Sequence, residues 1–303
     1  MQIKLRIYLL LFAFMLFVFD YLLSLNISTQ ISFLVLVLIL FGVPHGALDL
    51  YIDQHLNESV TTSHKAFLFK YILNIFAYSL IWYFFPIIAL CIFIVITAFH
   101  FGEVDWIGKT SSLIHKVAYT FIGFLWILFL LSKNVQFALD IFLKMGKSSV
   151  SSNYLIEIAH KIYPISLWFL AFVYILLFIF SKYFFYNRAH YFYSFLQQTI
   201  LVAFALYMPL WICFAFYFGF WHSLLSFDKI RVAFNISNDF KGWKSLLIKA
   251  MPFSIMAWFG FSYITFLSYK SSDTSGIFTL LFITLAVLAL PHLQVFTKLR
   301  FKG

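Results

Sequence analysis

The sequence predicts an all-α fold, a polytopic membrane helix bundle of about 8–10 transmembrane helices. It is expected to form a single integral membrane domain over residues 1–303. Three observations carry this expectation. The chain is 63% hydrophobic and only 11% charged. Apolar segments of about 20 residues, the length that crosses a bilayer as helix, recur along it. Its Lys and Arg residues sort to one side of those segments. In lipid a segment must satisfy its own backbone groups, so each span has to be helical. The net charge of +10 therefore reads as membrane topology. Lipid is the expected surrounding, and no nucleic acid is expected as a partner.

In chain order the expected spans are 5–25, 30–48, 66–85, 87–104, 115–132, 161–182, 192–208, 210–226, 246–267 and 276–297. The first opens like a signal peptide, with Lys4 and Arg6 before an apolar run. No small-residue cleavage site follows, so it is read as a retained span. The stretch "VQFALDIFLKMG" (135–146) is short and amphipathic and suits the interface. Cys91 and Cys213 lie inside apolar runs, as packing residues and not as a disulfide.

The region 192–226 is about twice a normal span, and Pro209 is its one obvious breaker. Either it is one long kinked helix or it is two short spans. Charge separates the two. With a break near Pro209, 16 of the Lys and Arg residues fall on one side and 5 on the other; without it the split is 9 against 12. The positive-inside rule favours the break and puts both termini in the cytoplasm.

Nine histidines are present. His55, His64, His115, His160 and His190 fall in or beside loops and are expected to be solvated. The other four each follow an apolar run: His45 in "VPHGALD", His100 in "AFHFGEVDW", His222 in "FGFWHSLLS" and His292 in "LPHLQVF". They close spans 2, 4, 8 and 10, so all four approach the same face at similar depth. Ionisable groups at membrane depth are costly unless paired or bound. One such ring alone suits a hydrogen-bonded structural role, whereas four together point to a shared metal. Neutral imidazole binds zinc, copper and iron, and imidazoles without thiolate can hold Fe(2+) with a position left for oxygen. Asp49 follows His45 by four residues and Glu103 follows His100 by three. On continued helix each shares a face with the ring and could accept its distal N–H. The alternative is that both are ordinary interfacial acids. Gly46 and Gly102 either permit close backbone approach or merely end helices, and Pro44 and Pro291, each just ahead of a histidine, are expected to open the helix there.

At these places the chain resembles the Brp/Blh family of membrane β-carotene 15,15'-dioxygenases. The matching pieces are "PHGALD" (44–49), "HFGEVD" (100–105), "FWHS" (220–223) and "LPH" (290–292). They stand in the family's order and span most of the chain. The resemblance implies iron-dependent cleavage of β-carotene by O2 at its central double bond. The product is two molecules of retinal, supplied to a microbial rhodopsin from a bacterial inner membrane. It also implies that His45, His100 and His222 bind the iron. In one place the sequence departs: the family often reads Trp-His-Ser-x-x-His, and here "WHSLLS" puts Ser226 at the last position. Either His292 completes the set, or three histidines suffice, or activity is altered.

Two other classes compete. A membrane zinc-dependent hydrolase would use zinc to activate water, and metal identity with O2 uptake separates it from a dioxygenase. A metal or proton transporter would use the histidines as a pathway, but no internal repeat is visible and the rings sit at helix ends. The His-x-x-x-His and His-x-x-His-His boxes of di-iron desaturases are absent.

Overall fold

In a computed structural model of the chain, the described residues are 3–56, 64–136, 138–139, 152–270 and 274–299. Every regular element among them is helical: α1 (Ile3–Leu23), α2 (Ile27–Val37), α3 (Val43–Gly46), α4 (Asp49–Leu56), α5 (His64–Phe84), α6 (Pro86–Asp105), α7 (Leu113–Lys133), α8 (Ser152–Ile179), α9 (Ser181–Phe184), α10 (Arg188–Tyr207), α11 (Leu210–Phe214), α12 (Ser223–Ala233), α13 (Phe240–Lys270) and α14 (Thr274–Phe296). Two π-helical segments join them, π1 (Leu38–Gly42) between α2 and α3 and π2 (Ala215–His222) between α11 and α12. Among the described residues, 8 helices are long and apolar enough to cross a membrane. The chain is an integral, multi-pass membrane protein.

The helices form two compact units. The first holds residues 1–75, 200–264 and 291–303, and the second holds 76–199 and 265–290.

In the first unit, helix α10 ends at Tyr207 and α11 begins at Leu210, with Pro209 as its N-cap at φ −58° and ψ 149°. Proline cannot donate to the preceding turn, so the helical ladder stops there. The rings of Phe204 and Phe216 are nonetheless 4.8 Å apart. Twelve residues of unbroken helix would span about 18 Å, so the chain folds back at Pro209, as the charge split anticipated. α1 then packs antiparallel to the returning segment. Phe17 meets Tyr207, Phe12 meets Phe216 and Phe220, and the Arg6 guanidinium lies 5.7 Å from the Trp221 ring centre.

The segment α2–π1–α3 runs parallel to α11–π2. Leu34 and Val37 pack on Ala215, Phe41 on Phe220 and His45 on Phe218. Gly219 makes this approach feasible: a Cβ there would collide with Val37 Cγ1.

In the second unit, α6 and α7 approach backbone to backbone. A Cβ at Gly102 would collide with the Tyr119 carbonyl, and one at Gly123 with the Ala98 carbonyl. Ala98 and Gly102 are four residues apart, the small-residue spacing that lets helices touch without a hydrophobic driving force between them. The Gln197 amide donates to the Asp105 carbonyl at 3.0 Å and pins the end of α6.

Three details differ from expectation. His115 is buried instead of solvated. It closes a capping box with Ser112 at the start of α7, and its Nε2 lies 2.9 Å from the Tyr183 carbonyl oxygen. Pro291 does not interrupt its helix, since α14 runs to Phe296. α13 is longer than the span expected at 246–267, with Asp239 accepting from the Gly242 N–H at its start. The interfacial stretch 135–146 lies mostly outside the described residues.

Candidate metal centre

Three of the four helix-end histidines meet in the first unit. His45 sits in α3, His222 is the last residue of π2, and His292 lies near the end of α14. All three are buried, His222 to 1% exposure. The His45 ring is centred 5.2 Å from His222 and 5.2 Å from His292, nearly perpendicular to each at 85° and 89°. His45 and His222 each offer a ring nitrogen within 4.8 Å of the other.

The two π turns set this up. In π1 the Val43 N–H bonds the Leu38 carbonyl, and in π2 the Ser223 N–H bonds the Phe218 carbonyl; both are i→i−5 bonds. A π turn adds one residue to a helix and rotates all that follows. Each here lies just ahead of, or ends on, a histidine. In the first, Pro44 has no N–H for the Leu40 carbonyl, and the wider turn absorbs that loss.

Hydrogen bonds assign which ring nitrogens carry the lone pair. The single Ser223 proton goes to the Phe218 carbonyl at 2.8 Å. Its oxygen is 3.2 Å from His45 Nδ1, so in that contact the neutral ring is the donor and Nε2 carries its lone pair. His292 Nδ1 donates to Asp49 Oδ1 at 2.8 Å, which again leaves Nε2 as the lone-pair nitrogen. A carboxylate behind an imidazole fixes its tautomer and raises its basicity as a ligand. Asp49 Oδ2 in turn accepts from Tyr71 Oη at 2.9 Å.

Asp49 thus supports His292 and not His45. The expected i, i+4 contact needed continuous helix from 45 to 49. Ala47 and Leu48 instead leave the helix, and α4 starts afresh at Asp49. Gly46 faces the His292 ring with room for a methyl, since a Cβ there would lie 3.8 Å from Nδ1.

The walls are apolar. Phe218 stacks on His222 at 5.9 Å and 10°, Phe214 stacks on Phe218 at 5.5 Å, and Phe296 lies 5.6 Å from His292. Three buried imidazoles, two with tautomers set so that Nε2 is the acceptor, and no thiolate among them, fit a divalent transition metal.

A family model described as Beta-carotene 15,15'-dioxygenase matches residues 36–300. The chain belongs to the beta-carotene 15,15'-dioxygenase family. A "Beta-carotene 15,15'-dioxygenase" of an uncultured marine bacterium, 66A03, is 28% identical over 273 residues, which is 87% of this chain and 92% of that protein. No solved structure matches the chain at a significant level.

As a member of this dioxygenase family the chain is a carotenoid-cleaving enzyme, and the other residues singled out in its sequence have these places. His100 is buried on α6 of the second unit, two residues before Gly102, with Glu103 half-buried after it. Ser226 is fully buried on α12, one turn past His222. Its hydroxyl makes no hydrogen bond among the described residues. Sequence reasoning missed Ser223 and Tyr71. Ser223 was open to view as the residue after His222. Tyr71 was signalled only by Asn74, a polar residue one turn further along an apolar helix. A second signal was also missed: Gly-x-x-His occurs at both 42–45 and 219–222, the first running from the last residue of π1 into α3 and the second closing π2.

Proposed function

We propose that the chain cleaves β-carotene at its central 15,15' double bond with O2 to give two molecules of retinal. In this reading His45, His100, His222 and His292 are the candidate ligands of Fe(2+), and residues 1–303 are one integral membrane domain. The observation that carries it is the His45 ring lying 5.2 Å from both His222 and His292 in a chain of this family. His100 is included because it is buried at the end of α6 and lies in a matching motif, with Glu103 as its carboxylate. The family match over residues 36–300 favours a dioxygenase over zinc hydrolysis.

One C=C bond and one O2 become two C=O bonds, so the reaction balances without an external reductant. Iron, when bound, supplies the activation of O2 beside the polyene. The protein's part is positional. Ser223 and Asp49 hold His45 and His292 with the lone pair on Nε2. Phe214, Phe218 and Phe296 keep water from the reacting carbons. A carotenoid dissolves in the bilayer and reaches such a site from lipid; retinal returns to lipid and is available to a microbial rhodopsin. The setting proposed is a bacterial inner membrane with cytoplasmic termini. Tags at the N-terminus and in the loop 235–239 should be accessible from the same, cytoplasmic side.

The decisive experiment uses a bacterial host that makes β-carotene. Expression should bleach the orange pigment and accumulate retinal, in proportion to oxygen and iron supply, and His45→Ala should leave the pigment intact while the protein still inserts. Accumulation of longer apocarotenals would move the cleavage position. Failure of iron-loaded protein to consume any carotenoid would end the assignment.

A further inference from the structure

Asp49 has two carboxylate oxygens, and the fold uses both. Oδ1 accepts from His292 Nδ1 at 2.8 Å and Oδ2 from Tyr71 Oη at 2.9 Å. A carboxylate held at one oxygen can still turn about its terminal bond. Held at both, its plane is set, and so is the ring that leans on Oδ1. The three residues come from three helices, α5, α4 and α14, so the line of hydrogen bonds also ties together elements far apart in the chain. A hydroxyl donating to a carboxylate is among the stronger kinds of hydrogen bond. A phenol donating to a buried acid is not incidental packing. One turn along α5, the Asn74 amide donates to Gln294 Oε1 at 2.8 Å, two residues past His292. α5 therefore grips the end of α14 twice, once through Asp49 and once directly.

We propose that Tyr71 is a positioning residue for the metal centre. It acts through Asp49, whose orientation it sets, and Asp49 in turn sets the tilt and tautomer of His292. This rests on the metal-centre reading above. Sequence pattern does not pair the three residues, because Tyr71 lies 22 positions from Asp49 and Asp49 lies 243 from His292.

The test is a titration of Co(2+) into full-length, metal-stripped protein in lipid nanodiscs, followed by visible d–d absorption. The variants are Tyr71→Phe, Asp49→Asn, the two combined, and Asn74→Ala. Tyr71→Phe should weaken Co(2+) binding roughly 10-fold, the low end for loss of a group behind a metal ligand, and should shift the d–d bands. Asp49→Asn should weaken it at least as much. The double variant should be no worse than Asp49→Asn alone, because Tyr71 acts only through that carboxylate. Asn74→Ala should bind like wild type. Wild-type affinity and spectrum in Tyr71→Phe would overturn the proposal. So would additive losses in the double variant, or a loss in Asn74→Ala equal to that in Tyr71→Phe, which would trace the effect to helix anchoring. If the wild-type protein itself shows no Co(2+) d–d bands, the metal-centre reading falls as well, an outcome distinct from the other three.

Discussion

Adding one methyl group at Gly219 should disable the metal centre without touching any ligand. Gly219 lies three residues before His222, where π2 crosses the α2–π1 segment. A Cβ placed there falls well inside contact distance of Val37 Cγ1, with Val37 Cβ at 3.4 Å and its carbonyl oxygen at 3.6 Å. Comfortable carbon–carbon separations are about 3.5–4.0 Å. Val37 cannot turn aside cheaply, because a β-branched residue in a helix has essentially one χ1 rotamer. The two segments must therefore part by about 1 Å or more to reach that range. Overpacking of this kind costs about 1–3 kcal/mol, which is a factor of roughly 5–30 or more in the population of the native arrangement. A metal site tolerates ligand displacements of only about 0.2 Å, so the His45–His222 spacing fails first. Gly219→Ala should insert normally, melt at lower temperature in detergent, and retain less than about a tenth of the wild-type metal. Val37→Ala removes the colliding Cγ1, so the double variant Gly219→Ala/Val37→Ala should regain most of both. Metal content by elemental analysis and a thermal melt read the two effects. Wild-type metal content in Gly219→Ala, or no recovery in the double variant, would refute the close-approach argument.

Alanine at His45, His100, His222 or His292 should abolish metal retention and retinal formation together; normal iron and turnover in His292→Ala would remove that ring from the ligand set. Stripping the purified protein with a chelator should stop retinal formation, and Fe(2+) should restore it where Zn(2+) does not, as measured by O2 uptake and product chromatography. In the second unit, Gly102→Ala drives a methyl into the Tyr119 carbonyl and should destabilise the α6–α7 pair by about 1–3 kcal/mol, seen as a lower melting temperature than wild type.

Much of this protein was legible before any coordinates. Hydropathy and length determined that the chain is helical and crosses the membrane many times, because lipid leaves the backbone no other solution. Lys and Arg, counted by side, located the reversal at Pro209, which the Phe204–Phe216 contact then demands. The four histidines stood out because ionisable rings at the ends of apolar runs are expensive to keep. Motif order around them pointed to the family that the comparisons then showed.

Partnership among those residues was not legible. Asp49 was expected to serve His45, four residues back, on the assumption of an unbroken helix. The turn at Ala47–Leu48 ended that periodicity, and the acid serves His292 instead. Tyr71 entered the site through a tertiary contact, Ser223 serves His45 178 positions away as well as adjoining His222, and His115, a local cap for Ser112, is buried against the Tyr183 carbonyl. The π turns belong to the same class. They arise where two segments pack closely enough to require Gly219, and the sequence hinted at them only through a repeated Gly-x-x-His. Local pattern determines which residues can lie at a given depth and face, since helix geometry and the bilayer act within a few turns. Which of them touch is decided by packing between helices up to 243 positions apart in the chain, and only the tertiary structure contains that information.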